Sequence, residues 1–270
     1  MSCATTNPES SNRSESQHWP EVIGHRGGSL EVPENTMAAF RYSRDLGLKW
    51  FELDVRMAAD GVVVCHDASL GRLAGRDDVE VWKTTTEDLQ EFSVGDPKPS
   101  KYALGKLTEF GLEVPKFGDA YPAEPIPTLS QALVLAPEIG IMVEMKKGPY
   151  GTLLADKTVE EIRRAGVEAH VIIGSFDPLL LDRAAELAPD IPLIGIAEEA
   201  EMISELLKRP VSKLAVSQDL VSLAQSLKPD HVSLWVWTIR DISEAKSMAE
   251  RGVDGLISDI PKKVRDLFSP

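Results

Sequence analysis

From Val22 onward, short runs rich in β-branched and aromatic residues alternate with longer stretches of helical periodicity. This alternation does most to restrict the fold. Strand-like runs fall at 21–25, 50–55, 62–65, 141–145, 170–174, 192–196, 213–216, 232–238 and 255–258. Helical stretches fall at 36–46, 128–136, 152–165, 178–187, 199–207, 219–227, 241–251 and 261–267. Repeated βα units imply a parallel sheet, because parallel strands need a crossover between them. The chain has 270 residues, and a closed barrel of eight such units takes about 250. A single α/β domain over 19–270, a (β/α)8 barrel with 62–65 as an extra strand beside it, accommodates the series. Asn35 or Thr36 is placed to cap the first helix, and Asp241 the helix after Arg240. Gly47, Gly166 and Gly252 stand where helices end.

Two segments depart from the rhythm. Residues 1–18 are rich in Ser, Asn, Glu and Thr and carry no apolar run, so they read as a disordered tail rather than a secretory signal. Residues 67–127 hold many Gly, Pro, Asp and Lys residues and only isolated apolar ones. They read as an insertion after the second barrel strand, either part of a functional mouth or a peripheral decoration.

Chemistry-bearing residues collect where apolar strands end. Val22-Ile23-Gly24 leads into His25-Arg26-Gly27, and Val62-Val63-Val64-Cys65 leads into His66-Asp67. The carboxyl ends of strands are where α/β folds place their sites. From Trp50 to Val55, Phe51, Leu53 and Val55 share one face, while Glu52 and Asp54 share the other. From Ile141 to Lys146, Met142, Glu144 and Lys146 share a face opposite Ile141, Val143 and Met145. Two inward acids on one strand and a third on another are costly to bury unless a cation or proton compensates. Glu52, Asp54 and Glu144 offer oxygen alone, which suits one Mg²⁺, Ca²⁺ or Mn²⁺ rather than zinc. His25 and His66 are the candidates for acid and base. Arg26 either grips a phosphate oxygen or pairs with an acid such as Glu34. Cys65 reads as a small core residue, and Trp235 as core. His18, His170 and His231, and the acids from Glu198 to Glu205, read as surface groups.

These residues resemble the glycerophosphodiester phosphodiesterase family. The matches are HRG at 25–27, PENT at 33–36, E-x-D at 52–54, HD at 66–67, Ile126-Pro127-Thr128-Leu129, E-x-K at 144–146, WT at 237–238 and GVDGLISD at 252–259. They run in order over roughly 21–265. There are two departures. The family usually has threonines after the arginine that follows HD, where Arg72 here precedes Leu73-Ala74-Gly75. It usually has Asn after the W-T-x stretch, where this chain has Arg240. Both bear on substrate contacts more than on the metal or the histidines.

The resemblance implies a TIM barrel that hydrolyses small-molecule glycerophosphodiesters to glycerol 3-phosphate and an alcohol through a cyclic phosphate. Glu52, Asp54 and Glu144 then hold the metal, and Lys146 and Arg26 the phosphate. Trp237 walls the glycerol pocket or, alternatively, is a bulky core residue, Glu34 and Asn35 orient their neighbours, and the insertion sits at the active-site mouth. A charge count agrees. Three carboxylates, one divalent cation, Lys146 and Arg26 leave +1, which a phosphodiester neutralises before the histidines are counted. Two rivals stand beside this reading. One is a phospholipase D-like enzyme acting on lysolipids, with Phe110, Leu112, Val114, Phe117 and Tyr121 covering an acyl chain. The other is a non-catalytic barrel that binds a phosphorylated ligand.

The bulk properties set the remaining bounds. A net charge of −14 disfavours nucleic acid and anionic membranes as partners. No run of about 18 apolar residues occurs, so no membrane span is expected. With two cysteines, Cys3 in the tail and Cys65 in a buried strand, a disulfide is not expected and a cytoplasmic location is.

Overall fold

A computed structural model describes residues 19–94, 117 and 121–268. The tail with Cys3 and His18, and Phe110, Leu112 and Val114, lie outside the described residues. The barrel strands are β1 (Glu21–Gly24), β2 (Trp50–Met57), β6 (Gly140–Met145), β7 (Val171–Ser175), β8 (Leu193–Ala197), β9 (Val211–Ser217), β10 (Ser233–Ile239) and β11 (Gly255–Ser258). All pair in parallel, and β1 bonds both β11 and β2, so the sheet closes. This is the TIM barrel expected from the βα alternation. β3 (Val62–Val64) pairs antiparallel to β2 and is the extra strand.

Alternation along each strand sorts two cores. Phe51, Leu53, Val55, Ile141, Val143 and Met145 belong to the large apolar layer between strands and helices. Ile23, Met142, Ile172, Ile194, Trp235 and Ile257 fill the barrel interior. Trp235 lies in that layer and the partly buried Trp50 packs against it, and glycines stand opposite both. Trp50 is in register with Gly140, where a Cβ would lie 2.4 Å from the indole. Trp235 is in register with Gly255, where it would lie 2.6 Å away.

The helix ends follow the sequence. Thr36, not Asn35, caps Met37–Asp45 by accepting from the Ala39 N–H, and Asp241 caps Ile242–Glu250 in a reciprocal box with Glu244. Gly47, Gly166 and Gly252 take positive φ. Two expectations need adjusting. The helix expected over 128–136 is the shorter Leu129–Leu133, also boxed, by Thr128 and Gln131. The insertion is not loop alone. It contains a hairpin of β4 (Ser69–Leu70) and β5 (Arg76–Glu80) and a helix, Thr86–Gln90. Its apolar residues Leu70, Leu73, Val81 and Leu89 pack with Val63, Cys65 and Ile126 into a small core of their own. Among the described residues no helix is long and apolar enough to cross a membrane.

Candidate active site

β1 ends in a single tight turn, His25–Gly27. Arg26 lies in the left-handed region at φ 50°, a strained backbone for a side-chain-bearing residue, and its N–H donates to Glu52 Oε2 at 2.8 Å. Gly27 is required there. Its φ is +85°, and a Cβ would fall 2.5 Å from that of Ala39. The turn thus lowers His25 and Arg26 onto the barrel mouth.

Beside it stand the three acids. Asp54 and Glu144 are direct neighbours in the β2–β6 register, and Glu52 is one inward position below. All three are buried, and one oxygen from each lies within 4.8 Å of the others. Asn35, itself at φ 56°, holds Asp54 by donating Nδ2 to Oδ2 at 2.8 Å. Lys146 Nζ lies 2.9 Å from Asp54 Oδ1 and pairs with Glu144. Arg26 Nε lies 3.1 Å from Asp54 Oδ2. Burial opposes ionisation of Asp54, but Lys146 and Arg26 outweigh it and hold the carboxyl well below its usual range. Glu52 has the opposite fate. Burial first, then Asp54 and Glu144, push its pKa well up. Its Oε1 is buried without a hydrogen-bond partner. Three converging buried carboxylates, with Glu52 Oε1 left unpartnered among them, fit a hard divalent cation.

The two histidines are built alike. His25 Nδ1 lies 2.5 Å from Asp259 Oδ1, which also accepts from Ser29 Oγ at 2.5 Å. His66 Nδ1 lies 2.7 Å from Asp67 Oδ1. A carboxylate can only accept, so Nδ1 carries the proton in both rings and Nε2 is left for chemistry. Asp259 resists burial through His25 and Ser29 and is held down at about 2. Burial, then the Arg26 charge, lowers the pKa of His66. Asp67 is in turn gripped by Arg72 Nε at 2.7 Å, and Arg72 forks onto Glu34 at 2.6 and 2.7 Å. Arg26 Nη1 reaches the same Glu34 at 3.0 Å. Burial would raise Glu34, but Arg72 and Arg26 hold it at about 2. Glu34 therefore orients two arginines, and Arg26 makes the ion pair that is one of its two expected roles.

These groups open into a cavity of about 350 Å³, lined among others by His25, Arg26, Glu52, His66, Glu144, Lys146, Phe176 and Trp237. Phe176 meets Trp237 edge to face at 5.5 Å, with Lys146 Nζ 5.6 Å from its ring centre. Glu198 corrects an expectation. Its sequence neighbours place it with a solvated helix face, but it lies between β8 and the next helix, Ala200–Leu206, so its side chain lines the cavity. Cys65 is buried and free, and burial with Asp67 pushes its thiol up to about 12, as suits a core residue and not a nucleophile.

The profile of the "Glycerophosphoryl diester phosphodiesterase family" matches residues 25–263. The chain belongs to this family. A glycerophosphodiester phosphodiesterase of Caldanaerobacter subterraneus subsp. tengcongensis is 29% identical over 91% of this chain and 96% of its own. A lysophospholipase D of Mus musculus is 28% identical over 92% of this chain and 85% of its own. Among solved structures, an Oleispira antarctica phosphodiesterase in complex with the product sn-glycerol-3-phosphate superposes with a TM-score of 0.74. It is 25% identical, over 92% of this chain and 96% of that one.

In this phosphodiesterase the fold brings together every candidate site residue of the sequence. Four more carry no role in the sequence alone. Asp259 closes GVDGLISD and Asp67 closes HD, so the motifs held the signal, yet their roles depend on histidines 234 residues and one residue away. Arg72 stands out in sequence only through the Leu73-Ala74-Gly75 departure beside it, not through its own ion pairs. Phe176 follows β7 with no motif to mark it.

Proposed function

We propose that this family member hydrolyses glycerophosphodiesters to glycerol 3-phosphate and an alcohol, depends on one divalent cation, and passes through a cyclic phosphate. The observation that carries the proposal is the orphaned Glu52 Oε1 in a buried carboxylate trio, flanked by two histidines each anchored through Nδ1. Glu52, Asp54 and Glu144 would hold the cation. When bound, it supplies Lewis acidity, polarising phosphate oxygens and lowering the pKa of the attacking hydroxyl.

The chain's own residues divide the rest. Lys146, with the guanidinium of Arg26, holds non-bridging oxygens of the phosphate. Trp237 and Phe176 wall the glycerol portion. Burial favours the neutral form of His66, and a cation in the site would favour it further, so His66 is assigned as the first-step base. It takes the proton of the substrate's 2-hydroxyl as that oxygen attacks phosphorus. His25, protonated and backed by Asp259, gives its Nε2 proton to the departing alcohol. Water then opens the cyclic ester. His25 removes a proton from the water, and His66 returns one to the 2-oxygen.

A second reading, lysolipid cleavage at the same site, draws on the mouse relative. Comparing release from glycerophosphocholine and from a lysophosphatidylcholine separates the two. A cytoplasmic setting fits the free Cys65. The decisive chemical test is a phosphodiester of propane-1,3-diol, which lacks the 2-hydroxyl. It should not be cleaved, and phosphorus NMR should detect a cyclic ester during turnover of the ordinary substrate. Cleavage of the diol ester at the ordinary rate would replace internal attack by direct attack of water.

A further inference from the structure

Arg56 stands two residues beyond Asp54 on β2, so the period of the strand places it on the same face as Glu52 and Asp54. β2 outlasts its neighbour here. Its register with β6 stops at Val55–Met145, while its register with β3 covers Val55–Val64 to Met57–Val62. Arg56 therefore lies in the notch where two chain segments diverge. Nε donates to the carbonyl of His66 at 2.7 Å, and Nη1 donates to the carbonyl of Lys147 at 3.1 Å. Behind the second loop, Tyr150 Oη donates to the Lys146 carbonyl at 2.9 Å. Gly148 leaves room for that ring, because a Cβ there would fall 2.3 Å from it.

The two tethered segments carry different parts of the chemistry. Lys146 follows β6 and inherits its place from the closed barrel. His66 follows β3, a three-residue strand outside the barrel, paired with β2 on one side and held on the other only by an isolated bridge from Val63 to Thr128. Backbone bonds tie both segments to β2, Cys65 N–H to the Asp54 carbonyl at 2.9 Å and Lys146 N–H to the Val55 carbonyl at 3.0 Å. The planar guanidinium, with two donors in fixed relation, adds the direct link between the two loops, because both carbonyls must satisfy one rigid fork. Arg56 is not among the residues lining the cavity, so it acts through its neighbours.

We propose that Arg56 is a positioning residue that fixes His66 relative to Lys146 by tying both loops to the strand bearing Glu52 and Asp54. The inference rests on His66 being the first-step base. Misplacing a reacting group by about 1 Å can cost about 10²-fold. The account therefore expects Arg56→Ala to lower kcat by about tenfold or more. KM and divalent-cation affinity, read by calorimetry, should stay within about threefold of wild type. Arg56→Met, which keeps the stem and loses the fork, should show the same fall and covers the case in which the alanine variant does not fold. The loss should persist on a nitrophenyl ester, since a good leaving group relieves the need for an acid but not for a base. Wild-type kcat in either folded variant, or full recovery on the nitrophenyl ester, would overturn the inference. A His66→Ala control separates the layers. If that variant stays active, the assignment of the base is at fault. If it is inactive while both Arg56 variants turn over normally, only the role of Arg56 falls.

Discussion

Each histidine presents Nε2 to the cavity because Nδ1 is committed to an aspartate, and the environments then separate their roles. His25→Ala and His66→Ala should each slow turnover by about 10²-fold or more, with cation binding retained. A nitrophenyl ester should rescue the His25 variant and not the His66 variant; the reverse pattern would exchange the assignments. A pH dependence follows from the burial of His66. The base works when neutral and is lost as pH falls through its pKa, so a lowered pKa moves that loss to lower pH. The acid limb of kcat/KM should fall below the ordinary imidazole value of about 6.5. Asp67 opposes the shift by accepting from the ring, so Asp67→Asn should move the limb lower still while reducing kcat. A limb above 6.5 in the wild type would contradict the assignment. The three acids of the buried trio were legible in sequence because strand alternation states which side chains share a face. Asp259 was not legible as a partner of His25, since only barrel closure, through the β1–β11 pairing, brings those residues together.

The elements were legible where burial imposes a period. β2 and β6 alternate because one face packs on helices and the other faces the barrel interior, and the sequence records both demands. The β4–β5 hairpin was missed for the converse reason. Arg76–Glu80 is half polar surface with no apolar alternation, so no buried face wrote a pattern into it. The helix Leu129–Leu133 shows how little can suffice. At five residues it is too short to stand on propensity alone, and its reciprocal Thr128–Gln131 box holds the entry. Thr128→Ala should cost about 1 kcal/mol. For a chain of this size that is a fall of roughly 2–4 °C in melting temperature. kcat of the folded protein should not change, since Thr128 is not among the residues lining the cavity. An unchanged melting temperature would show that packing, not the cap, fixes this helix.

At the scale of the whole molecule, closure of eight strands is what converts scattered motifs into one mouth. The chemistry-bearing side chains lie at or beyond the carboxyl ends of strands, and only the ring makes those ends converge. Residues 1–18 carry none of these motifs and no apolar run. Deleting them should leave melting temperature and turnover nearly unchanged, and a large drop in either would assign the tail a place on the barrel. The central claim is that the buried trio of Glu52, Asp54 and Glu144 is completed by a cation. It is tested most directly by dialysing the protein exhaustively against a chelator and titrating Mg²⁺, Ca²⁺ or Mn²⁺ back by calorimetry with turnover followed in parallel. The account predicts loss of activity, its return with about one equivalent of ion per chain, and loss of that binding event in Glu52→Gln. Full turnover after chelation, with no binding isotherm on titration, would contradict it.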